Sequence, residues 1–306
     1  MMEIRQRGAD HNRGIILIVV LWAVAMMSVI VAAAGTLAQK NLVAASVEDD
    51  RLLSSLALRS GLEIGKAFIL SQAPETRVFL DGTAIETGLG SGLRLSVSVR
   101  DAAGYVDLNR ANSKLIQSAA VESGLSVLQA EALANLIGVL RKQAAEATDE
   151  LANGSQPASE KPEENAETAT PVVPIFVATG QIRKLVEMEE AAMNRFLTIL
   201  GLHSATGLVN PFAAPESVLD AIPEMSAEDR SAVMMAKRAR QWEKDRRIAS
   251  LLEKFKDYLA VEEPKSFVLE VRILGGKGVI AGSRARSVLL LSDGNVPMFR
   301  TLALSW

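Results

Sequence analysis

Few residues of this chain are of a type, or at a spacing, that supports catalysis. Its 306 residues include no cysteine and two histidines, His11 and His203, so a thiol nucleophile, a cysteine-based metal site and a histidine pair close in sequence are excluded. The carboxylate pairs are sequence neighbours, whose side chains point apart on a helix instead of converging on a substrate: Asp49-Asp50, Glu163-Glu164 and Glu262-Glu263. The sequence therefore predicts no enzyme, no cofactor and no metal site.

The amino-acid composition and net charge exclude some of the remaining classes of protein. The chain is 49% hydrophobic, and 33 basic and 36 acidic side chains give a formal net charge of −3. This composition excludes disorder of the whole chain, and the length is enough for two domains. The charge balance gives no global reason to bind nucleic acid, although it allows a local basic patch.

An apolar run near the amino terminus predicts a membrane-spanning helix. Residues Ile15 to Ala34 are apolar except for Ser28, and about twenty such residues cover the roughly 30 Å hydrocarbon core of a bilayer. Arg5, Arg7 and Arg13 precede the run, whereas acidic residues follow it from Glu48 onwards. The positive-inside bias therefore predicts a single-pass protein with a cytoplasmic amino terminus and its bulk outside.

Three interpretations of this segment compete: an uncleaved anchor, a secretory signal cut near Ala32-Ala33-Ala34, and a leader cut before the apolar run. Arg13-Gly14 followed directly by Ile15 resembles the cleavage signature of type IV prepilins and pseudopilins. That resemblance implies a leader of residues 1–14, cleavage between Gly14 and Ile15, and N-methylation of Ile15. Most such proteins carry Glu at the fifth mature position, where this chain has Val19.

The elements that follow predict an α+β fold. The helix is expected over 15–71, with its membrane span at about 15–37, because apolar residues continue at helical spacing until Pro74. Its outer half needs a sheet or a bundle to cover its apolar stripe; a plain anchor followed by an unrelated helix is the alternative. Leu93 to Arg100 alternates as a half-buried strand does, and three further strands are expected at 266–274, 279–291 and 297–305. We therefore predict a small antiparallel sheet from 93–104 and 264–306, with an all-helical domain inserted at 105–262.

The helical domain contains an internal repeat. Val106 to Ala111 and Val209 to Ala214 lie 103 positions apart, and Gly124-Leu125-Ser126 corresponds to Glu224-Met225-Ser226. This pattern predicts helix-hairpin-helix units in which Asn109 and Asn210 cap the helices that follow. A further unit is expected at 181–188. The segment from about 143 to 174 is acidic and proline-containing, which predicts a disordered loop.

Helix-hairpin-helix units often bind DNA through backbone amides of a glycine-rich hairpin. Here Glu224 occupies that hairpin and would repel phosphate. The nearby basic cluster is interrupted by Glu243 and Asp245, as on a solvated helix face: Arg238, Arg240, Lys244, Arg246 and Arg247. No nucleic-acid partner is expected. The alternative function is a membrane-anchored helix-hairpin-helix DNA-binding protein of the competence type.

Taken together, these segments resemble the minor pseudopilin K family of type II secretion systems. The resemblance rests on Arg13-Gly14 with the apolar run, the segment Val106 to Ala111, residues 176–200 and 209–219 with Pro223, and the last strands with Trp306. It implies a long helix packed on a pilin-like sheet, with a large inserted all-helical domain of helix-hairpin-helix-like (SAM-like) repeats.

The family further implies a non-enzymatic subunit of the bacterial inner membrane and periplasm. Such a subunit sits at the tip of the pseudopilus, where it initiates or caps assembly with minor pseudopilins I and J. Its other implied partners are the major pseudopilin, the prepilin peptidase and the inner-membrane assembly platform. Val19 is the tip-defining residue, because a subunit with none above it has no terminal amine for a Glu to pair with.

Two features depart from the family pattern. Family structures imply calcium in the inserted domain, but residues 137–142 lack the expected carboxylates, so no calcium site is expected to carry over there. The other departure is Glu224 in the hairpin.

Overall fold

The structure, a computed structural model, describes residues 7–90, 92–153, 174–240, 242, 245–275, 282–292 and 298–305. Most of the expected acidic loop, the start of the strand expected at 279, and Trp306 lie outside these residues. The fold is α+β, as predicted: a long helix, an antiparallel sheet packed on its outer half, and a helical domain.

Helix α1 (Arg7–Ser71) is continuous over 65 residues, about 100 Å at 1.5 Å per residue. Its helical backbone begins before Gly14, so the end of the expected leader continues into the helix. Only the last part of α1 is buried, at Ala57, Leu58 and Ile69 among others. A short helix α2 (Pro74–Arg77) then turns the chain towards the sheet.

The sheet has five strands in the order β1-β2-β5-β6-β7, all paired antiparallel: β1 (Asp81–Gly88), β2 (Arg94–Asp101), β5 (Ser266–Ile273), β6 (Arg284–Leu291) and β7 (Phe299–Ser305). The join between β2 and β5 places the helical domain as an insertion between two neighbouring strands. Strand β1 is not predicted from the sequence; it is an edge strand with a register shift between Asp81 and Ala84, and its residues are half-exposed or exposed. The helical domain therefore follows the second strand of the sheet and not the first.

Small residues let α1 approach the sheet closely. A Cβ added at Gly61 would lie 2.4 Å from Val271 Cγ1, and one at Gly65 would lie 2.5 Å from Leu269 Cδ1. Leu95, Val97, Val271 and Ile273 pack around Ala57 and Leu58, and a second group that includes Phe267 and Leu269 packs around Ile69. The inner face of the sheet is thus filled by α1, which stabilises both elements through apolar burial.

The inserted domain has its own apolar core, in which Leu115, Phe196, Phe212 and Leu219 are fully buried. Its elements are β3 (Val106–Asp107), α3 (Ser113–Glu122), α4 (Val127–Asn153), α5 (Glu190–Ile199), β4 (Leu200–Gly201), α6 (Glu216–Asp220), α7 (Ala227–Ala239) and α8 (Arg246–Lys254). The parallel pairing of β3 with β4 was not predicted from the sequence.

The prediction of a loop at 143–174 is wrong for residues 143–153, which continue α4. Gln143, Ala144, Ala145 and Glu146 favour a helix, and an established helix extends at little cost through such residues.

The two hairpins of the repeat have the same geometry. Gly124 and Glu224 both adopt positive φ, at 114° and 62°. Two residues further on, a serine precedes the first residue of the next helix in each case: Ser126 exchanges hydrogen bonds with Gln129, and Ser226 does so with Asp229. These are reciprocal capping boxes, so the repeat inferred from the sequence is present in the backbone.

Candidate functional site

The amino-terminal half of α1 is an apolar rod without protein cover. Val19 is 61% exposed, Trp22 64% and Ile30 66%, and the most apolar window has a mean hydropathy of 2.9 with none of it buried. By length and composition this helix can cross a membrane. A lipid environment would cover the side chains that the protein leaves bare.

The structure places the expected processing residues on this rod. Gly14 and Ile15 lie within the helical backbone of α1, and Val19 follows one turn further on. Lys40 is the first charged residue after Arg13, so Val19 has no carboxylate or ammonium group among its neighbours along the helix. The structure does not test cleavage, and these three roles remain proposals.

A buried polar junction joins the sheet to the inserted domain. We define this polar junction as Val78, Asp101 and Asn210. The Asn210 side-chain amide donates to the carbonyl of Val78 at 3.0 Å and to Asp101 Oδ2 at 2.8 Å, and its oxygen accepts from the Phe212 N–H. Asn210 thus ties the second repeat to the end of β2 and to the segment before β1. It was expected to cap α6, but Pro215 occupies the cap position there.

Burial raises the pKa of Asp101 to about 6, although hydrogen bonds from Asn210 and the Ala103 N–H act in the opposite direction. Asp101 is 2% exposed, so its charged form loses nearly all hydration. The polar junction therefore holds a carboxyl group that titrates near neutral pH.

Asn109, the residue of the first repeat that corresponds to Asn210, forms its hydrogen bonds within the helical domain. Asn109 Oδ1 accepts from the N–H groups of Ile175 and Phe176, and its amide donates to the Phe176 carbonyl at 3.0 Å. The expectation that Asn109 caps α3 was wrong, because Asn112 accepts from the Lys114 N–H at that position. Asn109 instead fastens the segment that returns after residue 173.

Asp107 and Arg141 complete this arrangement. The Asp107 carboxylate accepts from the N–H groups of Asn109, Arg110 and Ser204. The Arg141 guanidinium donates to the carbonyls of Leu108 and Ala111, so it closes the same turn from the side of α4. Burial raises the pKa of Asp107 and lowers that of Arg141. The sequence signal for Asp107 and Asn109 was the repeat itself, whereas nothing local marked Arg141.

Further contacts fix the sheet against the helical domain. The Arg100 guanidinium donates to the Ala213 carbonyl at 2.6 Å. Lys237 on α7 bridges Asp81 on β1 at 3.2 Å and also donates to the Ala214 carbonyl. These bonds cross between elements distant in sequence and resist rotation of one part against the other.

The second hairpin offers a poor surface to phosphate. Glu228 and Asp229 occupy the first turn of α7, where backbone amides would otherwise attract an anion. Two nearby basic side chains are already paired, Arg247 with Glu228 at 2.8 Å and Lys254 with Asp229 at 2.9 Å. His203 is half-buried, and burial lowers its pKa. Within the described ranges, no group of three His, Asp or Glu side chains is placed to hold a metal ion.

Comparison with known proteins gives one informative result. No protein-family model and no curated protein matches the chain. Among solved structures, it resembles a chain of the GspK-GspI-GspJ complex from the type 2 secretion system of enterotoxigenic Escherichia coli. The TM-score is 0.50 at 14% identity, and the match covers 83% of this chain and 98% of the other.

The chain shares its fold with a subunit of that complex. The resemblance to a minor pseudopilin inferred from the sequence is therefore confirmed at the level of the fold.

Proposed function

We propose that the chain is a non-enzymatic minor pseudopilin at the tip of a type II secretion pseudopilus, which initiates or caps assembly for protein export across the outer membrane. The observation that carries this proposal is that the two halves of α1 have different surroundings. Its amino-terminal half is bare and apolar, and its outer half is buried in a sheet of pseudopilin fold. Such a subunit can stand in the inner membrane and project its sheet and helical domain into the periplasm.

The maturation steps follow from the same helix. Cleavage between Gly14 and Ile15 by the prepilin peptidase removes the basic leader but leaves the whole apolar run. The new terminal amine of Ile15 is then available for methylation. The cytoplasmic position of the leader agrees with its arginines.

Val19 and the inserted domain both favour a position of this subunit at the tip of the pseudopilus. A subunit below another must offer a carboxylate to the terminal amine of the one above, and Val19 has none to offer. The inserted domain, held rigidly to β2 and β5, adds bulk that would obstruct a further subunit. Minor pseudopilins I and J are the expected neighbours, since the similar structure is a complex of GspK with GspI and GspJ; the major pseudopilin and the assembly platform complete the partners.

The mass and amino-terminal sequence of the mature protein, from cells with and without the peptidase, test this proposal. We expect a terminal methylated Ile15 only when the peptidase is present. Gly14→Leu should block cleavage because a side chain crowds the peptidase site, whereas Gly35→Leu, a matched change in open space on the same helix, should not. An intact Met1 in all cells would indicate a plain anchor, and cleavage after Ala34 a secreted protein; either result contradicts the proposal.

The tip position needs a separate measurement. Immunogold labelling of sheared filaments should place the protein at one end only. Deleting residues 105–260 should preserve end labelling but change filament length, because the obstructing domain is gone. Label along the whole filament, or unchanged length and secretion after the deletion, would count against a capping role.

A further inference from the structure

The two faces of the sheet differ in charge. The inner face is apolar and covered by α1, whereas the outer face, on the side away from α1, carries six arginines: Arg94, Arg100, Arg272, Arg284, Arg286 and Arg300. Three acidic residues share this face in the strand register: Glu86, Glu270 and Asp81, which pairs with Arg100 and is bridged by Lys237. The outer face is therefore strongly basic, although the chain as a whole has a net charge of −3.

The positions of these arginines are unfavourable for the isolated sheet. Arg272 and Arg284 lie directly opposite each other on β5 and β6, and like charges in that position destabilise a sheet. Arg272 donates to Glu270, and Arg94 lies 3.7 Å from Glu86. Arg284 and Arg300 are exposed and form no ion pair with any residue that the structure describes. An arrangement that costs stability in the free protein is explained if an anionic partner relieves the repulsion.

The outer face is also concave. A cavity of about 300 Å³ is lined by the small residues Ala84, Ser96 and Ser98 and by the charged residues Arg100, Glu270 and Arg272. A second cavity of about 300 Å³, lined mainly by apolar residues, adjoins it and extends under the inserted domain. Tyr105 and Val268 line both, so the two form one groove.

Two of the arginines that line this groove are held in place by neighbouring groups. The guanidinium carbons of Arg100 and Arg286 lie 5.5 Å and 5.9 Å from the centre of the Tyr105 ring, as in cation–π pairs. Arg100 has room only because Gly82 lacks a side chain, since a Cβ there would lie 2.5 Å from its Nη2. Arg100 also donates to the Ala213 carbonyl, so these two side chains keep a fixed positive charge beside the groove, whereas Arg272 and Arg284 remain accessible to a carboxylate.

We propose that this groove binds a soluble acidic protein through an extended segment that places carboxylates over Arg272 and Arg284 and an apolar side chain in the cavity beside Tyr105. The headgroups of membrane lipids lie too far from this groove to be its anionic partner. The sheet packs on α1 from Ala57 outwards, about 30 Å beyond the end of the proposed span, whereas surface charge is screened within about 8 Å. Subunits that assemble through α1 approach from the opposite side of the sheet. The last two arguments rest on the proposed function, but the charge and shape of the groove do not.

The test uses the purified full-length chain in neutral detergent. The probe is a fluorescent peptide of three Glu-Glu-Ser-Leu repeats, and the same peptide with Lys in place of Glu is the peptide control. We expect the acidic peptide to bind, with affinity falling as salt rises, and the lysine peptide not to bind. Arg272→Glu with Arg284→Glu should weaken binding about tenfold or more. Arg238→Glu with Arg246→Glu, the same change in charge on exposed helical sites, should alter it less than about twofold.

Thermal unfolding of both double variants checks that each is folded. Arg284→Ser provides a second test of peptide binding, because it removes one of the two opposed charges without reversing it, and it should weaken binding less than the double variant does. Equal loss in the two double variants, or no loss in the sheet variant, would overturn the proposal. So would binding of anionic vesicles or self-association of the chain through the same arginines in place of the peptide. None of these results depends on cleavage at Gly14, so a failure here is distinct from a failure of the proposed function.

Discussion

The two halves of the internal repeat use the same local geometry for different attachments. In the first, Asn109 binds the main chain of Ile175 and Phe176, which belong to the same helical domain. In the second, Asn210 binds Val78 and Asp101, which belong to the sheet side of the molecule. One repeat closes the inserted domain on itself, and the other fastens it to the pilin-like part.

This difference shows how a duplicated unit can link two parts of a fold. The buried side-chain amide has both donors and an acceptor, so it can satisfy whatever backbone groups its surroundings present. Both hairpins beyond the asparagines have a capping box, whereas the hairpin residue itself is Gly124 in the first and Glu224 in the second. Attachment and turn geometry can therefore be tested separately.

Removing either asparagine should give the largest effects. Asn210→Ala and Asn109→Ala each leave buried polar groups unpaired, and each should lower the free energy of unfolding by about 2–3 kcal/mol. Hydrogen exchange should separate them, because Asn210→Ala exposes amides near Asp101, whereas Asn109→Ala exposes those of Ile175 and Phe176. The exposed cap Asn112→Ala serves as the control, with an expected loss of about 1 kcal/mol. Identical exchange patterns in the two variants would contradict the division of roles.

The pH dependence of stability should report on Asp101, the residue on the sheet side to which Asn210 is bonded. Its folded pKa of about 6 lies above the ordinary value of 3.8, so the folded state binds the proton more tightly and gains stability as pH falls. Relative to Asp101→Asn, the unmodified protein should gain up to roughly 3 kcal/mol between pH 7 and pH 4. Denaturant unfolding of both proteins at several pH values measures this difference. A stability difference that is independent of pH would show that Asp101 is not buried as described.

The first hairpin should not tolerate a side chain. Gly124 has φ of 114°, and an added Cβ would lie 3.2 Å from Arg195 Nη2. Gly124→Ala should therefore destabilise the protein by about 1–2 kcal/mol. Gly138→Ala on α4, where nothing lies within 4 Å, should instead stabilise it by up to about 1 kcal/mol. Thermal unfolding that shows the same sign for both changes would disprove the turn geometry.

The smallest effect is expected in the second hairpin. Glu224 has φ of 62°, a left-handed conformation that glycine adopts more readily. Glu224→Gly should raise the free energy of unfolding by about 0.5–1 kcal/mol, measured by denaturant unfolding. A loss of stability would mean that the Glu224 side chain makes a contact worth more than the strain.

Features with a periodic pattern could be predicted from the sequence, and features that depend on distant partners could not. The alternation from Leu93 to Arg100 and the apolar run after Gly14 indicated β2 and α1 directly. Strand β1 lacks such a pattern because it lies at the sheet edge and neither of its faces is deeply buried. The match to a pseudopilin complex subunit supports the fold, but it does not test Gly14, Ile15 or Val19.

The errors in the candidate site have one physical cause. Asn109 and Asn210 were assigned as helix caps because a local interaction is the one that sequence spacing suggests. In the folded chain their partners lie 66 or more positions away at Ile175, Phe176, Val78 and Asp101. Arg141 was missed for the same reason, since its acceptors are main-chain carbonyls that carry no sequence signal.

The continuity of α1 has a mechanical consequence. Between Gly14 and Gly61 the helix contains a single glycine, Gly35, and no proline, so a force applied to its amino-terminal half would be transmitted along a stiff helix to the sheet. Gly35 lies where the apolar run ends, with no atom beyond its own turn within 4 Å of an added Cβ. Gly35 is therefore the position in this stretch where the helix is expected to bend most easily, and the sheet would move with the part of the helix beyond it as one piece.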